Sequence, residues 1–140
     1  MWDTAIAVAG TLLGVVVTHL LQYRATDRRE HRKAILDTAT DTADALTHVR
    51  RLQETRWASR GSGYPAAKQA VWEARSTAGP VLFRFKALVR DEATLALLDE
   101  LVDLTFNLHD APDADELDRR YSQARQLNDR LARAIGRLTH

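Results

Sequence analysis

Histidine is the natural starting point in a search for chemistry, because imidazole is both the commonest metal ligand and a base that titrates near neutral pH. The chain has five: His19, His31, His48, His109 and His140. Metal sites inside helical bundles use glutamates together with Glu-x-x-His pairs, and no Glu-x-x-His occurs. Asp44 and His48 lie one helical turn apart and could share an ion. A site needs several convergent ligands, however, so a solvated pair is the simpler reading. No serine or threonine has an evident base partner. Gly61-Ser-Gly63 lacks the preceding strand and the lysine of a phosphate-cradling loop. There is no cysteine, which excludes disulfides and thiolate chemistry. The expectation is therefore a protein that is not an enzyme, with no catalytic residue, no metal, no cofactor and no small-molecule substrate.

Residues suited to binding are easier to find. Arg24, Arg28, Arg29, Arg32 and Lys33 form a basic run offset only by Asp27 and Glu30. Arg130, Arg133 and Arg137 recur at helical spacing near the end of the chain; a solvated face is the simpler reading and a docking surface the alternative. Trp57, Tyr64 and Trp72 cluster in sequence, either to close one end of a core or to form a partner patch. With 20 Lys and Arg against 19 Asp and Glu there is no global basic field, so nucleic acid is not the expected partner.

The element that must position the first basic run precedes it. Residues 4–23, TAIAVAGTLLGVVVTHLLQY, contain no formal charge. Twenty helical residues at ~1.5 Å each cover about 30 Å, the hydrocarbon thickness of a bilayer. The bulky and then basic exit does not resemble a signal-peptide cleavage site. Mid-span glycines disfavour a soluble core helix but are frequent in membrane helices. The basic run after the span predicts an N-terminus outside and the remainder in the cytoplasm, with Trp2 and Tyr23 at the two interfaces. Headgroups of anionic lipid would attract Arg24, Arg28, Arg29, Arg32 and Lys33. His19 lies near the cytoplasmic end, where it reaches the headgroups. Gly10 and Gly14 form a GxxxG pattern extended by Thr18 and bordered by Ala7, a face that lets a second copy approach closely.

The rest reads as helix. Residues 27–59 lack Gly and Pro, and Ile35, Ala39, Thr42, Leu46 and Val49 follow the four-and-three spacing of a helix seam. Arg60-Gly-Ser-Gly-Tyr-Pro65 marks a turn. The next helix carries Val71, Ala74, Ala78, Leu82, Phe85 and Leu88, a phase that continues across Gly79 and Pro80 and predicts one kinked helix. A third, capped by Asp91, shows two stripes: Leu97, Leu101, Leu104 and Leu108, and Leu95, Leu98, Val102 and Phe106. Asp113 with Glu116 has the capping-box spacing ahead of a last helix carrying Leu117, Tyr121, Ala124, Asn128, Leu131, Ile135 and Leu138. The predicted fold is all-α: a single transmembrane helix over residues 1–23, then an up-down bundle of about four helices over residues 24–140.

The opening Met1-Trp-Asp-Thr with Gly10-Thr-Leu-Leu-Gly14 and the arginine-rich helix after it resembles small membrane-anchored proteins widespread in actinobacteria, many of them labelled Kil-B-type or plasmid-spread proteins. Arg51-Leu-Gln-Glu-Thr-Arg-Trp57, Glu73-Ala-Arg-Ser-Thr-Ala-Gly-Pro-Val-Leu82 and the leucine-rich helix beyond resemble the same group. The resemblance implies a membrane-bound accessory role in plasmid transfer or spread and brings no catalytic residues. The reading is a single-pass protein of the cytoplasmic membrane that acts by self-association and by binding a cytoplasmic protein. Two alternatives stand beside it. One is a small pore-forming or membrane-perturbing protein; the other is a soluble bundle whose N-terminal helix is core.

Overall fold

The computed structural model describes the backbone of residues 2–140 and the side chains of residues 17–140. Among these the chain forms α1 (Trp2–Ala58), α2 (Tyr64–Leu88), α3 (Glu92–Phe106), a 3-10 turn (Leu108–Asp110) and α4 (Ala114–Thr139), with no strand. The all-α class is as expected. The chain divides into two compact units, residues 1–33 and 34–140.

In the first unit every described side chain, from Val17 to Lys33, is exposed. Val17, Leu20, Leu21 and Tyr23 stand among the most exposed large apolar residues of the protein. Among the described residues no helix is long and apolar enough to cross a membrane. Most of the expected span, residues 4–16, has side chains outside the described ones, as do Trp2 and the proposed pairing residues Ala7, Gly10 and Gly14.

The main core of the second unit is fed by all four helices. From α1 the buried line is Ile35, Thr38, Thr42, Leu46, Val49, Gln53 and Arg56, the expected seam with Thr38 in place of a half-buried Ala39, prolonged by two turns and ending in polar residues. The two threonines satisfy their hydroxyls locally: Thr38 and Thr42 donate to the carbonyls of Ala34 and Thr38, each at 2.7 Å. Gly63, at φ 76°, takes the left-handed turn that sets α2 going, a conformation a side chain would strain. α2 runs through Pro80 as one helix and buries Val71, Ala74, Ala78, Leu82 and Phe85. Leu88 is only half-buried, and Val89 just beyond the helix is the buried residue instead.

α3 starts where Asp91 accepts from the amide and the hydroxyl of Thr94, at 2.9 and 2.6 Å, bonds that hold its carboxyl below the usual carboxylate range. Its buried centre line runs Thr94, Leu98, Leu101 and Thr105, taking one leucine from each expected stripe, while Leu95, Leu97, Val102, Leu104 and Phe106 flank it half-buried. Leu108 continues that line but lies in the 3-10 turn, because α3 ends at Phe106. In α4, Leu127 is buried and Asn128 is exposed, reversing the expected pattern. The larger apolar side chain takes the core position next to Ala124 and Leu131.

Contacts fix the helix directions. Arg75 of α2 lies over Phe106, and Lys86 pairs with Asp99, so α2 and α3 run antiparallel. Tyr121 at the start of α4 reaches the Arg50 carbonyl at 3.3 Å. Ile135 and Gly136 border the same groove as Leu36 and Ala39, so α4 runs against α1. The order is up-down, as short connections favour.

Asp113 caps α4 by accepting from the Glu116 amide at 2.8 Å. The reciprocal half of a capping box is absent, because arginines have taken the Glu116 carboxylate. Arg119 donates to both its oxygens at 2.8 Å, and Arg120 adds a bond at 2.9 Å while its other end holds the Asn107 carbonyl. These bonds bring the Glu116 carboxyl down to about 2. A carboxyl lowered by folding stabilises the fold fully above its ordinary value of 4.5, and the contribution is lost as pH falls through the folded value. Urea midpoints of the wild type should therefore drop toward those of Glu116→Gln between pH 4.5 and about 2. Parallel midpoint curves for the two proteins would show that the arginines give Glu116 no folded-state advantage.

Candidate functional site

A helix end leaves carbonyl groups without intrahelical partners, and burial makes that costly. The connection from α3 to α4 has several such carbonyls, and the end of α1 with the turn after it supplies the donors. Gln53, fully buried, donates from Nε2 to the Phe106 carbonyl at 2.6 Å. One turn later Trp57 donates from Nε1 to the Ala111 carbonyl at 2.9 Å. Arg60 then spans the carbonyls of His109, Ala111 and Pro112, with its guanidinium 4.8 Å from the centre of the Trp57 ring. Leu108, Ala111 and Leu117 form a small second core beneath, with Trp57 and Tyr121 against it.

The same end of the bundle holds a concentration of positive charge. Arg56 is nine-tenths buried, donates to the Tyr64 hydroxyl at 3.0 Å and stands 5.4 Å over that ring. Its bond to the phenol lowers the Tyr64 pKa. Arg56, Lys68, Val71, Trp72, Arg75 and His109 line a cavity of about 230 Å³. Lys68, Trp72 and Arg75 face it together because they recur at i, i+4 and i+7 along α2. His109 bonds through Nε2 to Asp110 at 2.8 Å; burial, reinforced by the Arg56 charge, lowers its pKa.

Trp57, Tyr64 and Trp72 do not share one exposed patch. Trp57 seals the second core, Tyr64 partners Arg56, and Trp72 alone is largely exposed, at 64%. Arg130, Arg133 and Arg137 are exposed and line a groove with Ala93, Ala96, Leu97 and Glu100 of α3. Arg24, Arg28, Arg29, Arg32 and Lys33 are exposed on α1, as is Thr18. Asp44 and His48 are exposed, and among the described residues no cluster of His, Asp and Glu is arranged to hold a metal.

Sequence reasoning missed Gln53, Arg56, Lys68 and Arg75. For the first two a signal existed: the α1 seam, extended past Val49 at the same spacing, lands on Gln53 and Arg56 and so forecasts polar groups in the core. For Lys68 and Arg75 there was none, since their importance arises only where α2 meets the 3-10 turn.

Fold and site together define an all-α bundle with a cationic cleft at one end. The model of the KilB plasmid transfer protein family matches residues 36–139, and the chain belongs to that family. The match covers nearly all of the second unit, begins beside Ile35, the first buried residue among the described ones, and leaves the first 35 residues outside. Neither a curated protein nor a solved structure matches the chain.

The Trp57 bond can be tested by Trp57→Phe, which keeps most of the ring and removes the N–H. Loss of a buried bond to a carbonyl that Arg60 also serves should cost about 1–2 kcal/mol in urea unfolding. A loss under about 0.3 kcal/mol would mean that Arg60 satisfies Ala111 alone.

Proposed function

We propose that the protein is a membrane-anchored accessory component of plasmid transfer that works by binding, with its N-terminal segment in the cytoplasmic membrane and residues 34–140 in the cytoplasm. The observation that carries this reading is the transition along α1. Val17, Leu20 and Leu21 are exposed apolar side chains at the end of a twenty-residue uncharged stretch, and exposed Arg24, Arg28, Arg29, Arg32 and Lys33 follow directly. Apolar side chains left in water gain about 25 cal/mol per Å² when lipid covers them. The basic residues then meet headgroups on the side where positive charge is retained. A buried-core role for this segment finds no support in residues 17–33, all of them exposed.

Membership of a plasmid transfer family supports a plasmid-related role. Self-association through Ala7, Gly10, Gly14 and Thr18 fits the small-residue spacing, and it leaves the bundle free to engage a cytoplasmic protein. Action by binding, with no reaction of its own, accords with a site made of packed aromatics and arginines.

Fractionation of cells provides the test. Full-length protein should remain in membranes after carbonate extraction, with the bundle protected from protease in intact spheroplasts, while a truncation beginning at Ala34 should be soluble and helical. Gly10→Ile and Gly14→Ile should keep the anchor and lose crosslinked dimer. Full-length protein released by carbonate would overturn the anchor.

A further inference from the structure

The cleft between the end of α1, the first half of α2 and the 3-10 turn has an electrostatic imbalance that packing leaves uncorrected. Arg56, Lys68, Arg75 and His109 all border one cavity, and no carboxylate lines it. Asp110, the acid next to His109 in the chain, is bonded to the His109 Nε2. Arg56 cannot shed its proton to relieve the strain of burial. Only part of its donor set is satisfied by Tyr64, and its Nε–H is buried without an acceptor. A buried, charged donor without an acceptor is expensive, and an anion seated in the cavity would supply one.

The walls say what else the anion bears. Val71 and Trp72 give the cavity an apolar lining, and Trp72 is 64% exposed at its mouth. A second hollow, of about 400 Å³, shares Trp72 and Arg75 with it and is lined also by Ser76 and Phe106. The Arg75 guanidinium stands over the Phe106 ring, 4.4 Å from its centre. Two adjoining cavities of this size match the few hundred Å³ typical of small-molecule sites. Planar guanidinium groups recognise phosphate oxygens in pairs, and an exposed indole is a platform for a flat ring.

We propose that this cleft binds a phosphomonoester carrying an aromatic ring, of the nucleoside monophosphate class, with the phosphate among Arg56, Lys68 and Arg75 and the ring against Trp72. The site lies wholly within residues 34–140 and is independent of any membrane anchor.

The test is calorimetric titration of purified full-length protein in nonionic detergent with adenosine monophosphate, adenosine and inorganic phosphate. Adenosine monophosphate should bind at least about tenfold more tightly than either of the others, because each lacks one of the two contacts. Lys68→Gln and Arg75→Gln, both at exposed positions and expected to leave the helical spectrum unchanged, should each weaken it about tenfold. Trp72→Ala should erase its advantage over inorganic phosphate. Occupancy should also raise the pH at which the His109 imidazole titrates in NMR spectra, since the anion offsets the Arg56 and Arg75 charges that now oppose its protonation. Binding of adenosine as tight as that of the monophosphate, equal binding of inorganic phosphate, affinity unmoved by both charge variants, or no binding at all would each overturn the proposal.

Discussion

The structure depends on one requirement: the carbonyl groups released where α3 ends must find donors, and those of Phe106 and Ala111 are part-buried, where water is a poor substitute. α3 stops at Phe106, and the chain turns through Leu108–Asp110 before α4 begins at Ala114. Gln53 and Trp57, on one face of the last turns of α1, and Arg60 in the turn just beyond it supply donors to Phe106, His109, Ala111 and Pro112. From the other side Arg120 reaches Asn107, and Tyr121 returns a bond to the Arg50 carbonyl. Because Gln53 and Trp57 are spaced along one helix face, they set both the height of α1 against α3 and its rotation. The apolar seam then has only one way to enter the shared core.

That registration also makes the cleft. With Gln53 and Trp57 committed to the α3–α4 connection, Arg56 lies on the adjoining flank of α1 and faces α2, where Tyr64 takes one of its donors. The turn at Gly63 directs Lys68, Trp72 and Arg75 to the same end, and the 3-10 turn brings His109 beside them. Positive charge accumulates here as a consequence of packing, without any basic run in the sequence. By contrast, the basic runs visible in the sequence lie on exposed helix faces.

Much of the fold was legible from spacing alone. Ile35, Thr42, Leu46 and Val49 are buried as their periodicity requires, and α2 passes through Pro80 in the expected phase. Asp91 and Asp113 cap the helices they precede. The errors have physical causes. Asn128 shares a helical phase with Leu131 and Ile135, yet Leu127 gains more by burial and takes the place. Glu116 has the right spacing to cap but finds stronger partners in Arg119 and Arg120. The bonds from Gln53 and Trp57 join residues more than fifty positions apart. A polar residue on a helix seam does not announce which carbonyl will meet it, so the candidate site was largely illegible beforehand. The family resemblance had pointed to the segment Arg51-Leu-Gln-Glu-Thr-Arg-Trp57, and that segment supplies Gln53, Arg56 and Trp57.

Urea unfolding of Gln53→Ala tests the central claim most directly. The substitution removes a fully buried side chain and strands the Phe106 carbonyl, so the account predicts a loss of about 2–4 kcal/mol. A loss below about 1 kcal/mol would be ordinary for a side chain that merely fills space at a tolerant site, and would contradict the view that α1 locks the end of α3.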